Sequence, residues 1–217
     1  MRVLAIDTAL AACSVAFVDD DRLLAGRHEP LRRGHAERLL PMLEEARRDA
    51  GLDYRDLDLI AVTVGPGTFT GVRIGLAAAR GLALVHDCPV LGVGTLQALA
   101  WGAAEPEPVL VGIDARRGEL YWQYFDRDRR PKGPPRLGDA ETASAAGAAG
   151  DGVLAGSGGV ILAGRLPRWR ASAAATEPDA AIIALHCPVL GLPEAGSRPS
   201  PLYLRAPDAK LPVREAS

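Results

Sequence analysis

The order of apolar runs and turns in the first hundred residues constrains the fold more than any other feature of the sequence. Three short β-prone runs, at residues 2–6, 13–18 and 22–27, are separated by tight connections and predict a β-meander. An amphipathic helix over residues 35–50 follows, because apolar residues recur there at the 3.6-residue period. Strands and helices then alternate as far as residue 103. The predicted order is β-β-β-α-β-α-β-α, which indicates an α/β fold.

The second half of the chain begins with strands again, which predicts a second lobe. The charged, proline-rich segment 105–108 separates the halves, so we expect one lobe over residues 1–104 and another over residues 105–217. Strands are predicted at residues 109–114 and 119–125, with a turn between them.

The pattern weakens after residue 126. Residues 127–152 are rich in Arg, Pro, Gly and Ala and predict a long loop with one short helix. A strand at 153–155 and a helix at 178–186 are predicted beyond it. We expect the last dozen residues to be mobile, with the end of the chain able to pack back on the first lobe.

Charge and cysteine content exclude several classes of protein. The 217 residues include 25 basic and 27 acidic side chains, a net charge of −2, so the strongly basic surface typical of a nucleic-acid-binding domain is absent. The three cysteines, Cys13, Cys88 and Cys187, have neither disulfide-framework nor zinc-site spacing. No signal peptide and no run of 18 apolar residues is evident. We therefore expect a cytoplasmic protein with no membrane span.

Two segments are candidates for a phosphate or nucleotide site. A glycine-rich loop lies between a predicted strand and a predicted helix, where free N–H groups and the helix dipole favour an anion. The alternative is a glycine-rich turn with a threonine cap on the helix, supplied by Thr68 or Thr70. Asp7 ends the first strand and could bind a metal-bound phosphate, or it could bond nearby amides as a turn residue. The candidate residues are Asp7, Thr8, Gly65, Gly67 and Thr68.

The predicted helix after this loop carries a stripe of small residues. Gly71, Gly75 and Ala79 recur every four residues, so a second backbone could approach closely there. That backbone could belong to the same chain or to another subunit, and the spacing leaves both possibilities open.

No catalytic set is visible in the sequence. His35 opens the first predicted helix, but Leu39 stands at the position where an HxxxH metal motif would need its second histidine. A nucleophile elbow of the form G-x-S-x-G is also absent.

Several segments together resemble the bacterial TsaB family, also called YeaZ. They appear in the family's order and cover residues 1 to about 125 and the region near residue 205: AIDTALAACSVA, HAERLLPML, GPGTFTGVRIGLAAARGLAL, GVGTLQALA, IDARRGELYW and PLYLRAPDA. The resemblance implies an actin-like ATPase (ASKHA) fold of two related lobes, each with a mixed β-sheet and flanking helices. It also implies a part in forming N6-threonylcarbamoyladenosine next to the anticodon of tRNAs that read codons starting with A.

In this family the chain is a scaffold and activating partner rather than the catalyst. The catalytic paralogue, TsaD, holds a metal through an HxxxH motif, which fits the absence of that motif here. The implied partners are a TsaD-like paralogue, a TsaE-like ATPase and, indirectly, tRNA, with a homodimer as the possible state of the chain alone. ATP and a metal would be used by the partner subunits, and this chain would require no cofactor.

The resemblance places the pairing surface on the two helices of the first lobe. The residues carried over are His35, Leu39, Met42, Leu43, Val72, Gly75, Leu76 and Ala79. The alternative function is a stand-alone ATP-dependent ASKHA enzyme, such as a small-molecule kinase, which Asp7 and the Gly-Pro-Gly loop would serve.

Overall fold

A computed structural model describes residues 1–172, 174–194 and 197–205, and these residues form two five-stranded mixed sheets. The first sheet has the strand order β3-β2-β1-β4-β5, and the second has the order β8-β7-β6-β9-β10. The strands of the first sheet are β1 (Arg2–Asp7), β2 (Ala12–Asp19), β3 (Arg22–Pro30), β4 (Leu59–Gly65) and β5 (Val90–Gly94). Those of the second are β6 (Val109–Asp114), β7 (Glu119–Phe125), β8 (Arg136–Asp139), β9 (Gly152–Ala155) and β10 (Trp169–Ala171).

Six α-helices of the described residues flank these sheets. They are α1 (His35–Ala50), α2 (Phe69–His86), α3 (Thr95–Gly102), α4 (Ala140–Ala145), α5 (Gly159–Ala163) and α6 (Ala180–His186). Short 3₁₀ turns follow α1 and α6, at Tyr54–Asp56 and Cys187–Leu190. Within the part of the chain described, no helix combines the length and apolarity needed to cross a bilayer.

The two halves of the chain repeat one topology. In each half, three strands form an antiparallel meander, and two further strands then add in parallel on the side of the first strand. A helix follows each of the last three strands, so β-β-β-α-β-α-β-α occurs twice. The α/β class and the two related lobes are confirmed, while the boundary between residues 104 and 105 stays a prediction.

Most predicted elements match the structure, and the differences lie in the second half. The segment 127–152 is not simply a loop with one helix, because it contains β8 as well as α4. The three-residue strand β10 was also not predicted. The mobility expected of the last dozen residues concerns residues 206–217, which lie outside the described residues.

Both faces of the first sheet are buried, and different parts of the chain cover them. Alternate residues of a strand point to opposite faces. Leu4 and Ile6 therefore pack against α1 and α2, while Val3 and Ala5 pack against α3 and α6. Since α6 comes from the end of the second half, the first sheet is completed only by a segment about 90 residues downstream of β5.

Helix α3 joins the two lobes because it is apolar on opposite sides. Ala98 and Trp101 pack with α6 and the first sheet, whereas Leu96 and Leu99 pack with the second sheet. A short helix that is buried nearly all round belongs in the interior of a protein. The two cores therefore lie on opposite sides of α3, which is in contact with both.

Candidate functional site

Asp7 lies at the end of β1, beside Thr63 of the parallel neighbour β4, and its side chain is fully buried. Its Oδ1 accepts hydrogen bonds from the Thr63 hydroxyl at 2.6 Å and from the Ala9 N–H at 3.2 Å. Its Oδ2 has no hydrogen-bond partner among the described residues. Burial raises the pKa of Asp7 to about 7, and the negative charges of Glu177 and Asp179 add to the effect.

The loop after β1 is in direct contact with the loop and helix after β4. The Thr8 hydroxyl donates a hydrogen bond of 2.7 Å to the Gly71 carbonyl, and the Thr68 N–H donates one of 2.8 Å to the Ala9 carbonyl. A Cβ at Gly67 would lie 2.5 Å from the Ala9 oxygen. Glycine is required at this position by the close approach of the two backbones.

Thr68 caps helix α2, as one reading of the sequence predicts. Its Oγ1 accepts a hydrogen bond of 3.1 Å from the Gly71 N–H. The Thr68 and Gly71 amides, which a phosphate at this helix terminus would use, are thus bonded within the chain. The phosphate site at Asp7, Thr8, Gly65, Gly67 and Thr68 stays a prediction, and a phosphate bound to these two amides would have to displace these contacts.

The structure shows where the residues expected at the partner surface lie within the single chain. All eight are buried in the chain's own core, with an exposed fraction of at most 8 % for the seven other than Gly75: His35, Leu39, Met42, Leu43, Val72, Gly75, Leu76 and Ala79. The His35 ring Nε2 lies 3.2 Å from the Leu10 carbonyl oxygen. The apolar face of each helix covers the first sheet, so in this structure these side chains contact the chain's own core.

Other apolar residues of α1 and α2 face solvent. An interface on these helices therefore stays a prediction. The exposed fractions are 60 % for Leu40, 56 % for Phe69, 82 % for Leu84 and 76 % for Val85. Large apolar side chains exposed to this extent are candidates for a protein contact when they cluster.

The small-residue stripe of α2 serves packing within the chain. A Cβ at Gly75 would lie 2.7 Å from the Thr8 Oγ1 and 3.4 Å from the Val62 Cγ2. A bulky residue at position 75 would therefore disturb the core, and its effect would not report on a partner.

Sequence reasoning missed several polar residues that complete the Asp7 region. Glu177 accepts a hydrogen bond of 3.1 Å from the Ala11 N–H, and Ser14 accepts one of 3.1 Å from the Ala180 N–H. Each pair is 166 residues apart in sequence, so no local pattern could have revealed it. Within the described parts of the chain, no three His, Cys, Asp or Glu side chains are grouped so as to hold a metal ion.

Comparison with known proteins places the chain in a family. Residues 29–130 match the family model described as TsaD, tRNA N6-adenosine threonylcarbamoyltransferase. The chain is 46 % identical over 131 residues to the tRNA threonylcarbamoyladenosine biosynthesis protein TsaB of Escherichia coli, an alignment that covers 59 % of this chain and 56 % of that protein. The chain thus matches little more than half the length of this curated relative.

Two further proteins are similar over almost the whole chain. An uncharacterised protein of Mycobacterium bovis is 36 % identical in an alignment 223 positions long, which covers 96 % of this chain and 93 % of the relative. The solved structure of YeaZ from Pseudomonas aeruginosa superposes with a TM-score of 0.80 at 34 % identity, covering 94 % of this chain and 99 % of YeaZ.

A more distant structure shares the fold alone. The ethanolamine utilization protein EutJ from Carboxydothermus hydrogenoformans superposes with a TM-score of 0.55 at 11 % identity, over 85 % of this chain and 89 % of EutJ. Together with the duplicated mixed sheets, this likeness identifies the fold as the actin-like ATPase (ASKHA) fold. On the strength of the near-complete match to YeaZ, the chain belongs to the TsaB/YeaZ family.

Proposed function

We propose that this chain is a non-catalytic scaffold and activating partner of a TsaD-like protein. The complex would form N6-threonylcarbamoyladenosine next to the anticodon of tRNAs that read codons starting with A. The observation that carries the proposal is the 46 % identity, over 131 residues, to a protein named for threonylcarbamoyladenosine biosynthesis, with the YeaZ fold matched over 94 % of the chain.

The geometry around Asp7 supports a non-catalytic role. A carboxylate that binds a metal-bound phosphate must reach the ligand, whereas Asp7 is fully buried and bonded to Thr63. The neighbouring loops touch each other through Thr8, Ala9 and Gly71. The same contacts weaken the alternative of a stand-alone ATP-dependent kinase.

The partner surface is proposed on the outward faces of α1 and α2. The segment that matches the TsaD family, residues 29–130, contains both helices, so a TsaD protein would carry equivalent ones. Related surfaces pair readily about a two-fold or pseudo-two-fold axis, which would also allow a homodimer of this chain alone. A TsaE-like ATPase would join the complex, tRNA would be bound indirectly, and ATP and a metal would serve the partner subunits in the cytoplasm.

Light scattering on a sizing column tests this proposal. We expect the chain to form a 1:1 complex with the TsaD-like protein of the same organism. The substitution Leu84→Glu should weaken that complex at least tenfold, because it places a charge on the exposed apolar end of α2. The matched control is Val160→Glu on α5, since Val160 is 80 % exposed and Leu84 is 82 % exposed.

The possible outcomes distinguish failure of the scaffold role from failure of the proposed surface. If no complex forms with the unaltered chain, even with nucleotide and the TsaE-like ATPase present, the scaffold role is wrong. If a complex forms and Leu84→Glu has no more effect than Val160→Glu, the role stands and the surface is wrong. ATP turnover by the chain alone that Asp7→Ala abolishes would favour the kinase alternative.

A further inference from the structure

The segment 199–205 runs along the first lobe at the end of β4 and the start of α2. The Leu202 N–H donates a hydrogen bond of 2.7 Å to the Val64 carbonyl, and the Arg80 guanidinium donates one of 2.6 Å to the Pro199 carbonyl. The Arg73 Nε donates a hydrogen bond of 2.9 Å to the Tyr203 hydroxyl. Three separate contacts therefore attach this segment to the first lobe.

Arg73 also binds the segment through aromatic rings. Its guanidinium carbon lies 3.5 Å from the ring centroid of Phe69 and 5.8 Å from that of Tyr203. The two rings are stacked with their centroids 5.7 Å apart. A guanidinium at this distance from aromatic faces gains a cation–π attraction in addition to its hydrogen bond.

Two glycines of the first lobe allow the segment to approach closely. A Cβ at Gly92 would lie 2.8 Å from the Pro199 Cβ, and a Cβ at Gly65 would lie 2.9 Å from the Leu202 carbonyl oxygen. Real Cβ atoms do not approach other atoms so closely, so a side chain at either position would displace the segment. The segment thus occupies the space that side chains at positions 65 and 92 would need.

The same segment continues to the second lobe. One Arg205 nitrogen donates a hydrogen bond of 2.8 Å to the Ala115 carbonyl, and the other lies 2.5 Å from the Glu119 carboxylate. Ala115 and Glu119 flank the turn between β6 and β7. The Arg205 side chain is 23 % exposed, so this ion pair is partly shielded from solvent.

We propose that residues 199–205 are a strap that fixes the angle between the two lobes. Two-lobed folds commonly change shape by hinge rotation about the segments that connect the lobes. Here the chain passes from one lobe to the other at residues 103–108 and again between β10 and α6, and the strap adds a third connection through Tyr203 and Arg205. The strap would hold the start of α2 and the β6–β7 turn in one relative position.

Distance measurement between two spin labels tests the strap. The labels would be attached at Arg48→Cys on α1 and Glu141→Cys on α4, both exposed and outside the strap contacts. The native cysteines are all buried, so labelling of the folded chain would be selective. In the otherwise unaltered chain, electron double resonance should give one narrow distance distribution.

Reversing the charges of the Arg205–Glu119 ion pair gives variants that test the strap directly. We expect Arg205→Glu to broaden the distribution or add a second maximum. The double change Arg205→Glu with Glu119→Arg should narrow it again in part, because it restores the ion pair but not the hydrogen bond to the Ala115 carbonyl. Tyr203→Phe, which removes only the hydroxyl, should give a smaller broadening. The control Lys132→Gln breaks an ion pair with Asp126 within the second lobe and should change nothing.

Two results would overturn the proposal. A distribution that stays narrow in Arg205→Glu would show that the segment does not set the lobe angle. Equal broadening in Lys132→Gln would show that loss of any surface ion pair has the same effect. Circular dichroism on each variant confirms that it is folded before its distances are compared.

Discussion

Asp7 is the residue whose environment departs most from that of an ordinary surface carboxylate. Full burial disfavours its charged form, and only one of its two oxygens is hydrogen-bonded among the described residues. In the unfolded chain the same group is solvated and ionises near pH 4. Folding therefore binds a proton to Asp7 over the range between these two pKa values.

This difference gives the free energy of unfolding a pH dependence of known sign. The pKa of Asp7 is raised to about 7 in the folded state, so its contribution is most favourable below pH 4 and is lost as the pH rises toward 7. A shift of this size corresponds to about 4 kcal/mol at most. Because Asn cannot ionise, we expect the free energy of unfolding of Asp7→Asn not to show this decrease with rising pH. Urea unfolding of both proteins between pH 4.5 and 7.5 measures it.

The contribution of Asp7 is the difference between two curves of unfolding free energy against pH, one for the unaltered chain and one for Asp7→Asn. Other titratable groups contribute equally to both proteins and cancel. Asp151→Asn, at an exposed position, is the control for the loss of one carboxylate. Parallel curves for the unaltered chain and Asp7→Asn would contradict the prediction.

Single residues also show where reasoning from the sequence fails. The apolar spacing of Leu39, Met42 and Leu43 correctly indicates a buried helix face, but spacing does not say whether the covering surface is another chain or the same one. In the structure it is the chain's own first sheet. Thr63 and Glu177 were missed because their relation to Asp7 depends on tertiary contacts between distant segments.

Helix α2 places two glycines in opposite environments. A Cβ at Gly71 would collide with the Thr8 carbonyl oxygen and lie 2.5 Å from the Thr68 Oγ1, whereas one at Gly81 would meet no atom within 4 Å. One glycine is thus required by the contact between two loops. The other lowers helix stability without a compensating contact among the described residues.

The two alanine substitutions should therefore have opposite signs. We expect Gly71→Ala to destabilise the fold by about 1–3 kcal/mol, because backbone must move to admit the methyl group. Gly81→Ala should stabilise it by about 0.5–1 kcal/mol, since alanine loses less conformational entropy in a helix. Urea unfolding gives the change in the free energy of unfolding for each variant. A loss of stability in both would contradict the prediction of opposite signs.

Elements with a clear period are predictable from the sequence, and short edge strands are not. The bounds of α1, β6 and β7 agree with the predicted 35–50, 109–114 and 119–125. These segments have strong apolar periodicity and clear turn residues at their ends. By contrast, β8 and β10 are edge strands of four and three residues that lack such a pattern, so only their pairing with β7 and β9 makes them strands.

At the scale of the whole molecule, α6 makes the two lobes dependent on each other. Ile183 is fully buried between the first sheet and α3, although it belongs to the second half of the chain. The rings of Trp101 on α3 and His186 on α6 stack with their centroids 5.8 Å apart. We therefore expect both lobes to unfold in a single transition.

The substitution Ile183→Ala tests this coupling. Removing these buried carbons should cost about 2–5 kcal/mol through lost burial and a residual cavity. Hydrogen exchange read by mass spectrometry should show that β1 and β6 lose protection together, because α3 and α6 connect their cores. Loss of protection confined to the first lobe would show that the lobes unfold independently.

The dependence of the first sheet on α6 has a consequence for the order of events during synthesis. A ribosome adds about 5–20 residues per second. On the order of ten seconds therefore separates the emergence of β5 from that of α6. Throughout that interval, the face of the first sheet that carries Val3 and Ala5 lacks the helix that later covers it. The nascent first half therefore exposes this apolar face until α6 has been synthesised, and the first sheet reaches its native packing only after that point.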